Sequence, residues 1–226
     1  MINKNGNGLD AANDQPAEKH QTQSATAFIA HSGDLATDQL IQWTMFFDVH
    51  AQDKQEYSTT CGKLADQLRN AGAFNSKADC PLLKLATFGE QRTSSGSIRH
   101  NANVLALSGI EGDYDSGVVT MQEAADLLRS MGIRALLYPS PSSTAQAPRW
   151  RVLCLLSAST LPSEHGRLVA RLNGALGGVL AAESFTLSQS YYFGATPTNN
   201  YQVLSIDGQC IDAIPECMLP TPIGKN

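Results

Sequence analysis

The chain has 226 residues, of which 42% are hydrophobic, and its formal net charge is −5. This length suits one domain with a substantial core and short appendages. The acidic balance argues against a protein that coats nucleic acid non-specifically, because such binding depends on many Lys and Arg contacts with phosphates. A local basic surface is compatible with this charge.

The five cysteines form no Cys-x-x-Cys pair and no zinc-ligand spacing with the five histidines, so we expect reduced thiols. No apolar segment approaches the roughly 20 residues that span a bilayer. The N-terminus lacks a charged-then-apolar export signal. These features predict a cytoplasmic protein.

Composition divides the chain into three parts. Residues 1–25 are rich in Asn, Gln, Asp, Ala and Lys, which predicts a disordered leader. We expect one folded domain over residues 26–214 and a C-terminal tail over residues 215–226. Within the domain, residues 43–49 predict a buried strand, although so short an apolar run is also compatible with a helix. Residues 59–72 predict a capped amphipathic helix.

The second half of the domain alternates strands and helices. Residues 98–110 should be extended, and Thr120 with Glu123 forms the capping-box spacing of a helix that ends at Gly132. Further predicted elements are strands at 133–138 and 150–156, a helix at 162–176, and a hairpin of 201–206 with 209–214 around Asp207-Gly208. This order predicts an α+β fold in which helices pack on a mixed or antiparallel sheet.

Three acidic residues alternate after an apolar run, at Glu111, Asp113 and Asp115. Side chains alternate between the two faces of a strand, so all three are expected on one side. Crowded carboxylates of this kind suit Mg²⁺ or Mn²⁺. An Asp-rich turn is the alternative, because turn-forming residues surround them.

Two arginines flank a tryptophan in the segment Pro-Arg-Trp-Arg-Val at 148–152. Alternation places Arg149 and Arg151 on one strand face, where guanidiniums form forked bonds with phosphate. The preceding loop, 140–144, offers hydroxyl and backbone donors. A solvated edge strand around a buried Trp150 is the alternative.

A second basic group precedes the acids. Lys84, Arg92, Arg99 and His100 are candidates for contacts with a nucleic-acid backbone, with Phe88 as a stacking surface. Scattered solvated charges are the alternative explanation.

Several catalytic motifs are missing from the sequence. There is no Gly-x-x-x-x-Gly-Lys-Ser/Thr loop and no Gly-x-Ser-x-Gly elbow. The absence of a His-hydrophobic-His triplet disfavours a rolling-circle initiator or relaxase that uses Tyr191 or Tyr192. A metal-dependent nuclease stays open, because it needs the same acids and cuts DNA without added nucleotides.

Four segments resemble the archaeo-eukaryotic primase superfamily, in particular the primase or primase-polymerase domains of phages, plasmids and integrated elements. They are residues 83–89, Ser-Gly-Ile-Glu-Gly-Asp-Tyr-Asp at 108–115, 148–152, and Ser-Gln-Ser-Tyr-Tyr-Phe-Gly at 188–194. The resemblance implies an RRM-like primase core as the catalytic domain. It also implies primer synthesis on a single-stranded DNA template from NTPs or dNTPs.

The resemblance assigns roles to the acids. It implies that Asp113 and Asp115 are catalytic and hold Mg²⁺ or Mn²⁺. Glu111 is a further candidate ligand, and Glu183 is a candidate because it follows the last helix at the expected place in order.

The family's phosphate-contacting loop corresponds to residues 142–144. Ser143 lies where the family ordinarily has a histidine, with Ser142 beside it. A serine can hydrogen-bond a phosphate but carries no positive charge. We therefore expect attenuated activity unless Arg149 and Arg151, the predicted nucleotide-binding arginines, compensate.

Two expectations about partners and function complete the resemblance. Family members are often joined to a helicase domain, which implies a separate replicative helicase as partner. We expect no membrane partner, because no apolar segment is long enough to span a bilayer. The alternative function is a catalytically inactive primase-like module that binds single-stranded DNA or a replication partner.

Overall fold

The computed structural model describes residues 39–225, and the predicted leader lies outside them. The described strands are β1 (Ile41–Phe46), β2 (Lys54–Thr59), β3 (Leu82–Lys84), β4 (Ala86–Phe88), β5 (Val104–Tyr114), β6 (Ala135–Pro139), β7 (Trp150–Thr160), β8 (Tyr191–Tyr192) and β9 (Leu204–Ile206). The described helices are α1 (Cys61–Arg69), α2 (Met121–Ser130) and α3 (His165–Ala175).

The named strands form two antiparallel sheets. One sheet has the order β2-β1-β3-β8 and the other has the order β4-β5-β7-β6-β9. The predicted α+β class is therefore confirmed, although the sequence indicated a single sheet. The chain passes from one sheet to the other at Leu85, the one residue between β3 and β4.

Strand β7 is buried on both faces because each face meets a different part of the core. Val152 and Cys154 lie in a core that α2 and α3 complete. Leu153 and Leu155 lie in a second core with α1 and β1. The five-stranded sheet is thus the central layer, which explains why residues 135–138 of β6 and 152–156 of β7 are continuously apolar.

The helix boundaries follow local signals in the sequence. Thr120 Oγ1 accepts from the Glu123 N–H (3.1 Å), and the Glu123 carboxylate accepts from the Thr120 N–H (2.7 Å). This capping box confirms the predicted start of α2. Beyond α3, Gly177 and Gly178 adopt positive φ angles of 74° and 82°, a conformation that glycine tolerates without steric cost.

One predicted strand forms with different bounds, and one predicted hairpin was wrong. The first predicted strand ends at Phe46, since residues 47–50 form a turn. The predicted hairpin around Asp207-Gly208 does not form, because β9 pairs with β6 and Gln209 bridges to Ile133. The segments on the two sides of Asp207-Gly208 therefore pair with β6 and with Ile133, not with each other.

The segment after residue 214 packs against α3. The Ile223 N–H donates to the Ala170 carbonyl (3.0 Å), and Asn173 Nδ2 donates to the Ile223 carbonyl (3.1 Å). Over residues 39–225, no helix has the length and apolar character needed to cross a membrane.

We predict that Gly109→Ala destabilises the protein by about 1–3 kcal/mol, the usual cost of overpacking a core. A Cβ at residue 109 would meet the Leu85 side chain and lie 2.9 Å from the Cys154 carbonyl oxygen. Urea denaturation measures the loss. The control is Gly166→Ala in α3, where a Cβ meets nothing within 4 Å. Equal stability of the two variants would contradict this account of the crossing at Leu85.

Candidate functional site

A cleft of about 270 Å³ opens where β5 and β7 meet the β8 edge of the four-stranded sheet. We name it the Asp113 cleft. It is lined by Val49, Lys77, Leu82, Arg99, Asp113, Arg151, Gln189, Ser190, Tyr191 and Tyr192. Three predicted site residues, Arg99, Asp113 and Arg151, are thus brought together.

Asp113 and Arg151 form an ion pair across neighbouring strands. The register of β5 and β7 places them opposite each other, and Arg151 Nη1 donates to Asp113 Oδ1. Their side chains are 13% and 7% exposed. The Asp113 N–H donates to Ser184 Oγ (2.9 Å), and its carbonyl accepts from the Ala181 N–H (2.8 Å). Asp113 is therefore held at the cleft with its charge balanced by an arginine.

Two arginines of the cleft keep buried nitrogen atoms without a hydrogen-bond partner. These atoms are Nε of Arg99 and Nε of Arg151. Burial lowers the pKa of Arg151 to about 10 and also lowers the pKa of Arg99. An unpaired buried donor is costly, and a phosphate oxygen is a strong acceptor for a guanidinium. The cleft therefore suits an anionic ligand.

The remaining contacts hold both guanidiniums in place. Arg99 Nη1 donates to Ser190 Oγ (2.9 Å), and its Nη2 donates to the Val49 carbonyl (3.1 Å). The Arg151 guanidinium lies 5.3 Å from the centre of the Tyr191 ring, within cation–π range. The unpaired nitrogens therefore belong to positioned side chains.

Lys77 is a cleft residue that sequence reasoning missed. Its Nζ lies 5.1 Å from the centre of the Tyr192 ring. Burial and the nearby charges of Arg151 and Arg149 lower the pKa of Lys77, and Asp115 partly opposes this. Cationic groups from separate parts of the chain thus converge here. Lys77 lies in a polar segment with no recognisable motif, so no local pattern marks it as a site residue.

The other predicted acids differ in position. Asp115 is exposed just beyond β5, and Glu183 is exposed on the 3-10 turn Ala182–Phe185, next to the Ser184 that binds the Asp113 backbone. Within residues 39–225, no three His, Cys, Asp or Glu side chains are grouped closely enough to hold a metal ion by themselves.

Glu111 and Lys84 form a buried ion pair, which corrects two predictions. Lys84 Nζ lies 2.5 Å from Glu111 Oε2, and both side chains are at most 1% exposed. The Leu85 N–H donates to the other oxygen of Glu111, and Lys84 Nζ lies 3.4 Å from His165 Nε2. Glu111 is thus committed as a counter-ion rather than a metal ligand, and Lys84 is unreachable by a nucleic-acid backbone.

Burial shifts the pKa values of Glu111 and His165 in this cluster. Burial raises the pKa of Glu111, and the Lys84 ammonium opposes that rise. Burial and Lys84 lower the pKa of His165 to about 3, so its imidazole is neutral at pH 7. The cluster therefore pairs Lys84 with Glu111 beside a neutral imidazole ring.

The loop 140–144 is folded onto itself. Ser143 is buried, and its Oγ accepts from the Arg149 N–H (3.0 Å), so this hydroxyl faces its own loop. Ser142 lies on a neighbouring cavity of about 370 Å³ that shares Lys77 with the Asp113 cleft. The hydroxyls of Thr196 and Thr198 both donate to the Pro141 carbonyl (2.7 Å each), which fixes the loop.

Three other predicted positions serve the scaffold. Arg92 Nη1 donates to the carbonyls of Gln52 (2.6 Å) and Gly96 (3.0 Å), and His100 Nε2 lies 3.1 Å from the Gln91 carbonyl. Phe88, the predicted stacking surface, is buried, which makes it a core residue instead.

Two solved structures are distantly similar to the chain. The AEP domain of the cyanophage S-2L primase-polymerase has a TM-score of 0.41 at 10% identity, over 76% of this chain and 84% of that chain. The polymerase domain of ligase D from Mycobacterium tuberculosis, solved in complex with DNA, has a TM-score of 0.34 at 12% identity, over 70% and 69%. No family model and no curated protein matches.

We predict that Lys84→Met destabilises the protein by about 3–5 kcal/mol at pH 7, because it leaves the Glu111 carboxylate buried without a counter-ion. A carboxyl group whose folded-state pKa is raised stabilises the fold below its unfolded pKa and loses that contribution as pH rises. Without Lys84 the pKa of Glu111 rises further. The difference in the free energy of unfolding between the parent protein and Lys84→Met should therefore become smaller as the pH is lowered from 7 to 5.

Urea denaturation of both proteins at the two pH values tests this. The matched control is Lys63→Met, which removes an exposed cation on α1 and should change stability little. A Lys84→Met deficit that stays constant with pH would contradict the assignment of Glu111 as the buried anion.

Proposed function

We propose that the chain is a DNA-templated nucleotidyltransferase of the primase-polymerase class. The observation that carries the proposal is the pair of unpaired, buried arginine nitrogens beside Asp113. Positioned cationic donors next to a carboxylate suit a nucleoside triphosphate, whose phosphates need the cations. The sequence resemblance supplies the reaction class, namely primer synthesis in the replication of a phage, plasmid or integrated element.

The arginines and Lys77 bind the triphosphate in this proposal. Arg99 and Arg151 offer their Nε donors, and Lys77 adds a third positive charge at the same cleft. Arg149 lies close enough to influence the pKa of Lys77, so it extends this basic surface. Ser142 borders the adjoining cavity that Lys77 also lines and offers a hydroxyl there.

The carboxylates fit a divalent cation that arrives with its nucleotide. Mg²⁺ keeps several waters and uses one or two protein carboxylates together with substrate phosphates. Asp113 lines the cleft and Asp115 follows it at the end of β5, so these two residues would hold Mg²⁺ or Mn²⁺, with Glu183 as a further candidate. When bound, the ion neutralises phosphate charge and favours ionisation of the attacking 3′-hydroxyl.

The chain's own residues supply positioning and charge balance. The cations hold the phosphates so that the leaving pyrophosphate is neutralised as its charge grows. Tyr191 fixes the Arg151 guanidinium, and Ser184 fixes the Asp113 backbone. A rigid frame of this kind accelerates transfer by holding the reacting groups in register.

The proposed partners follow from the same reaction. They are a single-stranded DNA template, NTPs or dNTPs, and a separate replicative helicase, in the cytoplasm. Arg99 and Lys77 line the cleft, so template and nucleotide phosphates would both meet positive charge there.

We predict that Asp113→Asn lowers primer synthesis by roughly a hundredfold or more, because a carboxylate at the reacting end is lost. The assay is extension on single-stranded DNA with labelled nucleotides and Mg²⁺ or Mn²⁺. The control is Asp126→Asn, an exposed carboxylate on α2 paired with Arg129. Near-normal synthesis by a folded Asp113→Asn protein would refute the assignment.

We also predict that Lys77→Met weakens nucleotide binding about tenfold or more, since a charge-assisted bond to phosphate is lost. Fluorescent-nucleotide titration measures the affinity, and circular dichroism checks the fold. Lys63→Met is again the matched control. Equal affinities for the Lys77→Met and Lys63→Met proteins would remove Lys77 from the site.

A second candidate function is a non-catalytic module that binds single-stranded DNA or a replication partner. The inward-facing Ser143 favours it, since this residue presents neither charge nor hydroxyl to the cleft. The extension assay separates the two functions when it is run beside a DNA-binding titration. Tight DNA binding without any product under either metal would establish the module.

A further inference from the structure

We propose that Arg151 is shared between Asp113 and the incoming nucleotide, so that nucleotide and divalent cation enter the Asp113 cleft together rather than separately. This inference rests on the proposed function and adds to it that binding of the nucleotide and binding of the cation depend on each other. Arg151 acts as a positioning residue: its guanidinium stays bonded to Asp113 until a nucleotide phosphate binds it.

The starting state is a balanced, mostly buried ion pair. Arg151 Nη1 already donates to Asp113 Oδ1 and lies 3.3 Å from the Trp150 carbonyl oxygen. The Nε atom of the same guanidinium is buried and unpaired. One arginine thus has one nitrogen bonded to Asp113 and another that is buried without a hydrogen-bond partner.

A metal ion alone meets an unfavourable site. It would have to replace Arg151 at Asp113, which leaves a guanidinium without its counter-ion in a buried position. The ion would also approach the positive charges of Lys77 and Arg149, and burial together with the charges of Arg151 and Arg149 already lowers the pKa of Lys77. Asp115, exposed beyond β5, and Glu183, exposed on the 3-10 turn, are the candidate acids with ready access.

A nucleotide removes both obstacles. Its phosphate accepts from the free Nε of Arg151 and carries more negative charge than a single carboxylate, so it competes for the whole guanidinium. Once Arg151 turns to phosphate, Asp113 lacks a counter-ion and attracts a cation. Each ligand therefore creates a site for the other, and by linkage each strengthens the binding of the other equally.

The first arm of the test measures Mn²⁺ binding to nucleotide-free protein by electron paramagnetic resonance. Arg151→Gln should bind Mn²⁺ roughly tenfold more tightly than the parent, within the usual range of such coupling. Arg151→Gln combined with Asp113→Asn should lose that gain. Arg149→Gln removes a neighbouring charge that is not bonded to Asp113, and its gain should be clearly smaller. Equal gains in Arg149→Gln and Arg151→Gln would overturn the inference in favour of a general field effect.

The second arm measures binding of a non-hydrolysable nucleoside triphosphate in EDTA. Asp113→Asn frees Arg151, so it should bind the metal-free nucleotide more tightly than the parent, whereas Arg151→Gln should bind it more weakly. Equal affinity of the parent and Asp113→Asn would overturn the shared-arginine inference while leaving the proposed function intact. No binding by either protein, with or without Mn²⁺, would overturn both.

Discussion

The buried ion pair of Lys84 and Glu111 joins the two sheets at the centre of the protein. Lys84 ends β3 in the four-stranded sheet, and Glu111 lies on β5 in the five-stranded sheet. Glu111 and Asp113 share one face of β5, two residues apart. The contact that holds Glu111 against β3 therefore also sets the position of Asp113 relative to Tyr191 and Tyr192 on β8. The cleft depends on this crossing of the sheets.

Charge balance explains how two acids coexist on one strand face. Glu111 is neutralised by Lys84, and Asp113 is neutralised by Arg151. The two pairs differ in one respect that decides function. The first is sealed in the core beside His165, whereas the second borders a cleft and contains an arginine nitrogen that lacks a partner. Only the second pair is open to exchange with a ligand.

The parts of the structure that the sequence predicted are those set by neighbouring residues. The capping box of Thr120 and Glu123 and the stop at Gly177 lie within one helical turn of the elements they define, so α2 and α3 were predicted. Strands β3 and β4 have three residues each, and their sheet assignment depends on partners far along the chain. No local pattern separates them at Leu85.

In the site, too, local sequence predicted some features, while others depend on residues far apart in the chain. Period-two alternation predicted that Glu111 and Asp113 share a face, and the family resemblance implied that Asp113 and Arg151 serve one nucleotide site. It gave no information about which side chains lie across that face. Lys84 lies opposite Glu111 because the two sheets pack together, and Lys77 lies above Tyr192 because the turn Lys77–Asp79 packs on β8. Both contacts join distant parts of the chain, so Lys84 was misassigned and Lys77 was missed.

The most direct test of the phosphate-binding cleft is nuclear magnetic resonance of ¹⁵N-arginine-labelled protein, with a non-hydrolysable nucleoside triphosphate added in EDTA. Arg99→Lys and Arg151→Lys assign the two cleft signals. The account predicts that the Nε–H resonances of Arg99 and Arg151 shift on saturation, while that of Arg129 on the exposed face of α2 stays in place. Unshifted Arg99 and Arg151 signals at saturating nucleotide would contradict it.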